Sequence, residues 1–211
     1  MKTFEPIERL RQKTALYIGE KSITRLYTFL TGYATAEHDY GLTENAEPSN
    51  SLLPLNWWFM HEFAKIKCGE KESTSGWCEM ILRYCNGDES VALDRFFELF
   101  DEFKSLKMAN GKKAVLNAEN RYYNSSMKHC HKEIAGKAEP CYKNPIAVYI
   151  CKLSGNNGFI AAVETEEKVE IADCIFRSLN QAEEFAKIFF GKIEYWQKLQ
   201  GDNIDFGKPV F

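Results

Sequence analysis

In the first hundred residues, apolar side chains recur every three or four positions, which is the spacing of amphipathic helices. One helix is predicted to begin after Ser22, whose hydroxyl can cap its first turn. A second is predicted to begin after Asn56, and the glycine of Cys68–Gly69 favours its end. The apolar face of the first helix consists of Ile23, Leu26, Tyr27, Leu30 and Tyr33.

Two more helical patterns follow along the chain. The segment ESTSGWCEMILRYCNG predicts a helix, and DESVALDRFFELFDEFKSLK predicts the clearest helix of the sequence. The apolar face of the former is Trp77, Met80, Ile81 and Tyr84, and that of the latter is Leu93, Phe96, Phe97, Phe100 and Phe103. The opposite face of the clearest helix carries one row of acidic residues that no basic residue interrupts: Asp94, Glu98, Asp101 and Glu102.

The pattern changes from helix to strand after residue 144. PIAVYICKL and GFIAAVET are rich in β-branched and aromatic residues, and SGNNG between them predicts a hairpin because Asn157 and Gly158 tolerate positive φ. KVEIADCIF predicts a third strand. A capping box from Ser178 to Gln181 then opens a helix. Its predicted inward positions are Ala182, Phe185, Ala186, Phe189, Ile193 and Trp196.

These elements predict an α+β fold, in which a helical N-terminal half precedes a small antiparallel β-meander with a packed C-terminal helix. We predict a helical subdomain over residues 1–108, a polar connecting segment over 109–144, and a β-meander plus helix subdomain over 145–211, packed as one compact unit. A short helix is predicted around Met127 to Ile134 within the connecting segment.

Composition indicates a folded chain. The 211 residues are 45% hydrophobic and include fifteen Phe, which is enough for a core. No apolar run approaches the roughly 18 residues of a membrane span, and the charged N-terminus lacks the apolar region of a signal peptide. Seven cysteines, an odd number at irregular spacing, disfavour a disulfide framework. We therefore expect a cytoplasmic protein with no membrane partner.

Patterns for metal binding and nucleophilic catalysis are incomplete. Cys130 and His131 lie among other metal-competent residues, but adjacent ligands rarely converge on one ion. His61–Glu62 lacks the second histidine of an H-E-x-x-H site, and no G-x-S-x-G motif is present. The sequence therefore predicts no enzyme activity, no cofactor and no metal. If a metal were bound, the candidate ligands would be His129, His131 and Cys141.

The stretch IERLRQKTALYIG resembles the R-K-R-P-G-M-Y-I-G segment at the start of the ATPase domain of gyrase-type topoisomerases. That resemblance implies a Glu and an Asn one turn apart in the next helix, followed by an Asp-x-Gly-x-Gly loop. The next helix, SITRLYTFLTGYATAEH, has no Asn, and the chain has no such loop. Gly19 is therefore interpreted as a turn residue before the helix that Ser22 begins, and not as part of a phosphate site.

Three strings, LYIGEKSITRLYTFLTGY, STSGWCEMIL and GDESVALDRFFELFDEF, resemble a group of small bacterial proteins. The pattern of that group is YLG-x-x-S, a hydrophobic helix, GY, W-x-x-x-I and DE-x-x-ALDRFFELLDEF. Its members lie among the immunity proteins of polymorphic-toxin and contact-dependent inhibition systems. The resemblance covers roughly the first half of this chain. It implies a non-enzymatic protein that neutralises a cognate toxin domain by occluding its active site or substrate cleft.

Two groups of acidic residues are predicted to contact such a partner, because a nuclease toxin would present a basic, phosphate-binding cleft. One group is the row on the clearest helix. The other is predicted to lie in the turn between two strands. Together these residues are Asp94, Glu98, Asp101, Glu102, Glu164, Glu166 and Glu167.

The basic segment 121–143 supports an alternative interpretation, a nucleic-acid-associated or phage-defence accessory protein. Basic residues interleaved with aromatic ones can bind single strands. Glu119, Glu133 and Glu139 dilute the segment, and the net charge of −3 disfavours nucleic acid as a partner. The basic and aromatic residues are Arg121, Lys128, His129, His131, Lys132, Lys137 and Lys143, with Tyr122 and Tyr123.

Overall fold

The fold is α+β, as predicted, and the chain divides into two compact units, residues 1–106 and 107–211. The computed structural model describes residues 4–40, 57–70, 75–122, 128–134, 137–140, 142, 144–155, 157–166, 169–172 and 175–200.

The described part of the first unit is helical. Its helices are α1 (Phe4–Gln12), α2 (Thr14–Ile18), α3 (Ile23–Asp39), α4 (Trp57–Lys67), α5 (Trp77–Tyr84) and α6 (Glu89–Lys104). α6 packs against α3, α4 and α5, so it lies at the centre of the unit. This position explains why α6 has the most regular apolar stripe in the sequence.

The ends of these helices follow local signals. The hydroxyl oxygen of Ser22 accepts a hydrogen bond from the backbone N–H of Arg25 at 3.1 Å, which confirms the predicted cap of α3. Gly69, just beyond α4, has φ 74°, which confirms the predicted end of that helix. Asn56, the predicted cap of α4, lies outside the described residues.

The buried stripe of α6 is confirmed with one exchange: Phe97 is only half-buried, and Leu99 is fully buried. The ring of Phe96 lies 4.8 Å from that of Trp77, so an aromatic contact joins α6 to α5. Tyr84 was predicted on the buried face of α5, and this is wrong because its side chain is exposed. The remaining predicted residues of the α6 stripe, all buried, are Leu93, Phe96, Phe100 and Phe103.

The second unit is built on an antiparallel sheet. Its elements are β1 (Met108–Val115), α7 (Ala118–Tyr122), β2 (Lys128–Ile134), β3 (Lys137–Pro140), β4 (Pro145–Leu153), β5 (Phe159–Thr165), β6 (Val169–Ile171), α8 (Leu179–Phe190) and β7 (Gln197–Gln200). Among the described residues, five strands form one sheet in the order β6-β5-β4-β1-β7, and β2 pairs with β3 separately. The predicted meander is confirmed as β4, β5 and β6.

The elements of this unit differ from the prediction in three places. Residues 108–115, mostly within the predicted connecting segment, form β1, which pairs with β4 and β7. Residues 128–134 form β2, where a short helix was predicted. The C-terminal helix ends at Phe190, since Gly191 adopts φ 71°. Ile193 and Trp196 therefore lie beyond the helix, although they still pack against the core.

α8 covers one face of the sheet. The predicted hairpin between β4 and β5 is confirmed, with positive φ at Gly155 and Gly158. Because side chains alternate along a strand, Val148 and Ile150 of β4 lie on the same face, in the core that contains α8 residues. The buried residues of this core are Ala114, Leu116, Val148, Ile150, Val163, Ala182, Ala186 and Phe190.

Candidate protein-binding surface

Glu89, in the first turn of α6, binds the N-terminus of α3. Its Oε2 accepts hydrogen bonds from the Ser22 hydroxyl at 2.7 Å and the Thr24 N–H at 3.1 Å, and its Oε1 accepts one from the Thr24 hydroxyl at 2.6 Å. Burial alone would raise the pKa of Glu89, but the hydrogen bonds together outweigh it and lower the pKa. Glu89 is therefore charged at neutral pH and holds the two helix starts together.

A cleft of about 580 Å³ lies at the turn before α3, and it is lined by that turn and by the first residues of α3 and α6, Glu89 among them. Gly19 has φ 80° there, and a Cβ would lie 3.0 Å from Nη1 of Arg25, which confirms Gly19 as a turn residue. A phosphate bound at the start of a helix accepts hydrogen bonds from the free N–H groups of the first turn. Here the protein's own Glu89 carboxylate takes the N–H of Thr24.

No basic residue interrupts the acidic row on α6 in the sequence, but in the structure the row is ion-paired. The cations come from α1, the turn before α3, α4 and α6 itself, so most of them are remote from the row in sequence. Helical periodicity cannot reveal the pairs made by Arg11, Lys21 and Lys67, because these pairs depend on which segments pack beside α6. The pairs are Lys21–Asp94 at 3.2 Å, Arg95–Glu98 at 2.8 Å, Arg11–Asp101 and Lys104–Asp101 each at 3.1 Å, and Lys67–Glu102.

Most of the row nevertheless remains in solvent. The side chains of Asp94, Glu98 and Asp101 are 58%, 66% and 52% exposed, and only Glu102 is more covered. Burial would raise the pKa of Asp101, but hydrogen bonds from its two cations outweigh it and lower the pKa. Exposed ion pairs contribute only about 0–1 kcal/mol to stability. The intramolecular pairs of Asp94 and Glu98 therefore cost little to break.

The second acidic group was predicted to lie in the turn between two strands, and this is wrong for Glu164. Glu164 lies in β5, where its Oε2 accepts hydrogen bonds from the Tyr149 hydroxyl at 2.5 Å and the Lys113 ammonium at 2.9 Å. Burial would raise the pKa of Glu164, but these bonds outweigh it and lower the pKa. Glu166 lies just beyond β5 and is exposed, and Glu167 is outside the described residues. The carboxylate of Glu164 is thus hydrogen-bonded to side chains of other strands in the same sheet.

An exposed corner at the turn from α5 to α6 was missed by the sequence reasoning. Tyr84 and Val91 are each 53% exposed, and the guanidinium carbon of Arg95 lies 5.7 Å from the centre of the Tyr84 ring. Arg95 also donates to Glu98, the next residue of the acidic row along this face. The sequence contains one indication of this corner: in the helical period of α6, Val91 lies one turn before Asp94 and outside the buried stripe. We call Tyr84, Val91 and Arg95 the α5–α6 corner.

The metal candidates and most of the basic segment fall outside the described side chains. His129 and His131 lie in β2, without described side chains, and Cys141 is outside the described residues altogether. Within the described ranges, no group of three or more His, Cys, Asp and Glu residues could hold a metal ion. The described guanidinium of the basic segment, Arg121, donates from Nε to the carbonyl of Leu116 at 3.1 Å.

The described cysteines are free thiols. Burial raises the pKa of Cys78 to about 11 and that of Cys151 to about 12. Cys68 is also shifted mainly by burial, to a pKa of about 11. These thiols are therefore protonated at neutral pH, and a protonated thiol is a poor nucleophile.

Comparison of this chain with protein-family models, with curated proteins and with solved structures finds no match. In the part of the chain that the structure describes, no helix combines the length and the apolar character needed to cross a membrane.

Proposed function

We propose that this protein is a non-enzymatic binding protein that neutralises a cognate toxin domain by occluding its active site or substrate cleft. The proposal includes a cytoplasmic location, which the free thiols in the described residues support, since disulfides are rare in reducing compartments. The immunity-protein resemblance of the first half of the chain suggested this class.

The observation that carries the proposal is the row of solvent-exposed carboxylates along one face of α6. The helix is anchored from several sides: Arg11 donates to the Phe97 carbonyl at 3.0 Å, and Asp88 caps its first turn. A rigid helix presents charges without the entropy cost of ordering a loop on binding. Charge complementarity with a basic cleft would accelerate association and select the partner.

The proposed mechanism of binding is an exchange of ion pairs between this surface and a basic partner. In the free protein, Asp94 is paired with Lys21, and Glu98 with Arg95, in exposed geometry. A basic partner would take over these carboxylates, and the released Lys21 would return to solvent. Asp101 is held by two cations and is therefore expected to contribute less to binding than Glu98.

The test is charge reversal in the protein's own complex. Tagged protein is used to capture the partner from lysate of the native host, and association with the purified partner is then measured at low and high salt. Glu98→Lys is expected to slow association about tenfold at low salt and much less at high salt. Glu184→Lys is the matched control, because Glu184 is similarly exposed and likewise pairs within its own helix, α8.

The results separate the α6 surface from general charge effects. Slower association with Glu98→Lys but not with Glu184→Lys supports the proposal. Equal rates for Glu98→Lys and the unmodified protein, with Asp94→Lys added and still no change, would falsify it. The row would then serve solubility alone.

A further inference from the structure

The α5–α6 corner exposes two large apolar side chains beside a charged surface. Tyr84 is the last residue of α5, after four buried residues of that helix, yet it is about half exposed. Val91 lies on the first turn of α6 and is equally exposed. Single exposed apolar residues are common, but Tyr and Arg are the residue types enriched at interface hot spots, and here the Arg95 guanidinium lies over the exposed Tyr84 ring. Val91 lies one turn before Arg95 on the same helix and adds exposed apolar area.

The corner is rigid. Asn86 and Gly87 both adopt left-handed conformations, with φ 56° and 82°, and so turn the chain sharply from α5 into α6. The Gly87 N–H donates to the carbonyl of Leu82 at 2.9 Å, and the carboxylate of Asp88 accepts from the first N–H groups of α6. Tyr84 is therefore presented from a fixed backbone, which lowers the entropy lost when a partner covers it.

Arg95 links this corner to the acidic row. Its guanidinium lies over the Tyr84 ring and donates to Glu98 at 2.8 Å, so the orientations of all three side chains are coupled. Asp94 lies beside Arg95 on the same helix and is also more than half exposed. An apolar contact surface is thus bordered by two exposed carboxylates, Asp94 and Glu98, each paired with a cation of this chain that a basic partner would replace.

We propose that the α5–α6 corner is the apolar anchor of the partner interface, and that the partner is a protein presenting an apolar side chain surrounded by Lys and Arg. This inference rests on the proposed function, and it specifies the chemistry of the partner. The apolar side chain packs on Tyr84 and Val91, while the partner's cations reach Asp94 and Glu98. The anchor slows dissociation, and the acidic row accelerates association.

The experiment places a photo-cross-linking residue, p-benzoylphenylalanine, at position 84 or 91 of the full chain in the native host. Position 188 on α8 is the control, because Ile188 is about as exposed as Val91. Cross-links to one basic polypeptide are expected from positions 84 and 91 and not from 188. With that polypeptide purified, Tyr84→Ala/Val91→Ser is expected to raise the dissociation rate at least about tenfold, with association changed less than about twofold.

The outcomes distinguish the two proposals. If Glu98→Lys slows association but positions 84 and 91 give no cross-link and the double variant dissociates normally, the anchor is refuted and the proposed function stands. Capture of a partner that is acidic around its contact residues also refutes the anchor. If no position cross-links and Glu98→Lys has no effect on the captured partner, both proposals fail. Circular dichroism of each variant checks that the helices are intact.

Discussion

The hydroxyl of Ser22 donates a hydrogen bond of 2.7 Å to the carboxylate of Glu89, and this contact joins the start of α3 to the start of α6. Ser22 also accepts from the N–H of Arg25, so one side chain caps its own helix and binds the neighbouring one. The carboxylate sits where the N-terminal dipole of α3 favours negative charge. The contact therefore orients α6, whose outer face carries the proposed binding surface.

Neutralising Glu89 is expected to destabilise the first unit. Glu89→Gln preserves the shape, but it removes the charge and replaces one of the two accepting oxygens by a donating NH2 group, which should lower the free energy of unfolding by about 1–2 kcal/mol. Urea unfolding followed by circular dichroism measures the change. Glu98→Gln is the control on the same helix, and its exposed pair should alter stability by less than about 0.5 kcal/mol. Equal effects of the two substitutions would contradict the role assigned to Glu89.

Acid should weaken the fold through the carboxylates whose pKa is lowered. For Glu89 and Glu164 the folded-state pKa lies below the ordinary value of 4.5, so their stabilisation is complete above that pH and is lost as the pH falls through the folded-state pKa. The free energy of unfolding is therefore expected to be flat near neutral pH and to decline below about pH 4.5. Unfolding curves across this range, repeated with Glu89→Gln, should show a shallower decline in the variant. An unchanged slope in the variant would mean that Glu89 has the same pKa folded and unfolded.

Two glycine-to-alanine substitutions should have opposite effects. Gly158 has φ 87°, and a Cβ there would lie 2.4 Å from the carbonyl oxygen of Phe176, so Gly158→Ala is expected to cost about 2–4 kcal/mol. Gly32 lies inside α3 with nothing within 4 Å of the added atom, so Gly32→Ala should add about 0.5–1 kcal/mol. Thermal unfolding of the two variants provides the comparison. A stable Gly158→Ala variant would show that the β4–β5 turn adopts another conformation.

The network across the sheet should contribute to the second unit. Tyr149→Phe removes the donor at 2.5 Å from Glu164 and leaves the partly buried carboxylate with Lys113 alone, which should cost about 1 kcal/mol. Tyr195→Phe is the matched control, since Tyr195 is largely exposed, and should be neutral. A double-mutant cycle with Glu164→Gln measures the coupling between the two residues. Additive effects in that cycle would show that the hydrogen bond has no net energetic role.

The predictions that succeeded depend on residues close together in the chain. The cap at Ser22, the stripe of Phe96, Phe100 and Phe103, and the hairpin at Gly158 each follow from backbone preferences or from side-chain period within one element. These signals are local, so they predicted the α+β class and most helix and strand positions.

The tertiary structure alone decided the features that join distant segments. β1 has a weak strand pattern of its own, MANGKKAV, and it is a strand because β4 and β7 pair with both of its edges. By helical periodicity Tyr84 falls on the same face of α5 as the buried residues, but packing at the end of α5 leaves its side chain in solvent. Lys21 beside Asp94 and Arg11 beside Asp101 come from other segments. Periodicity reports which side of an element is apolar, whereas the partners of a polar side chain depend on which elements fold against it.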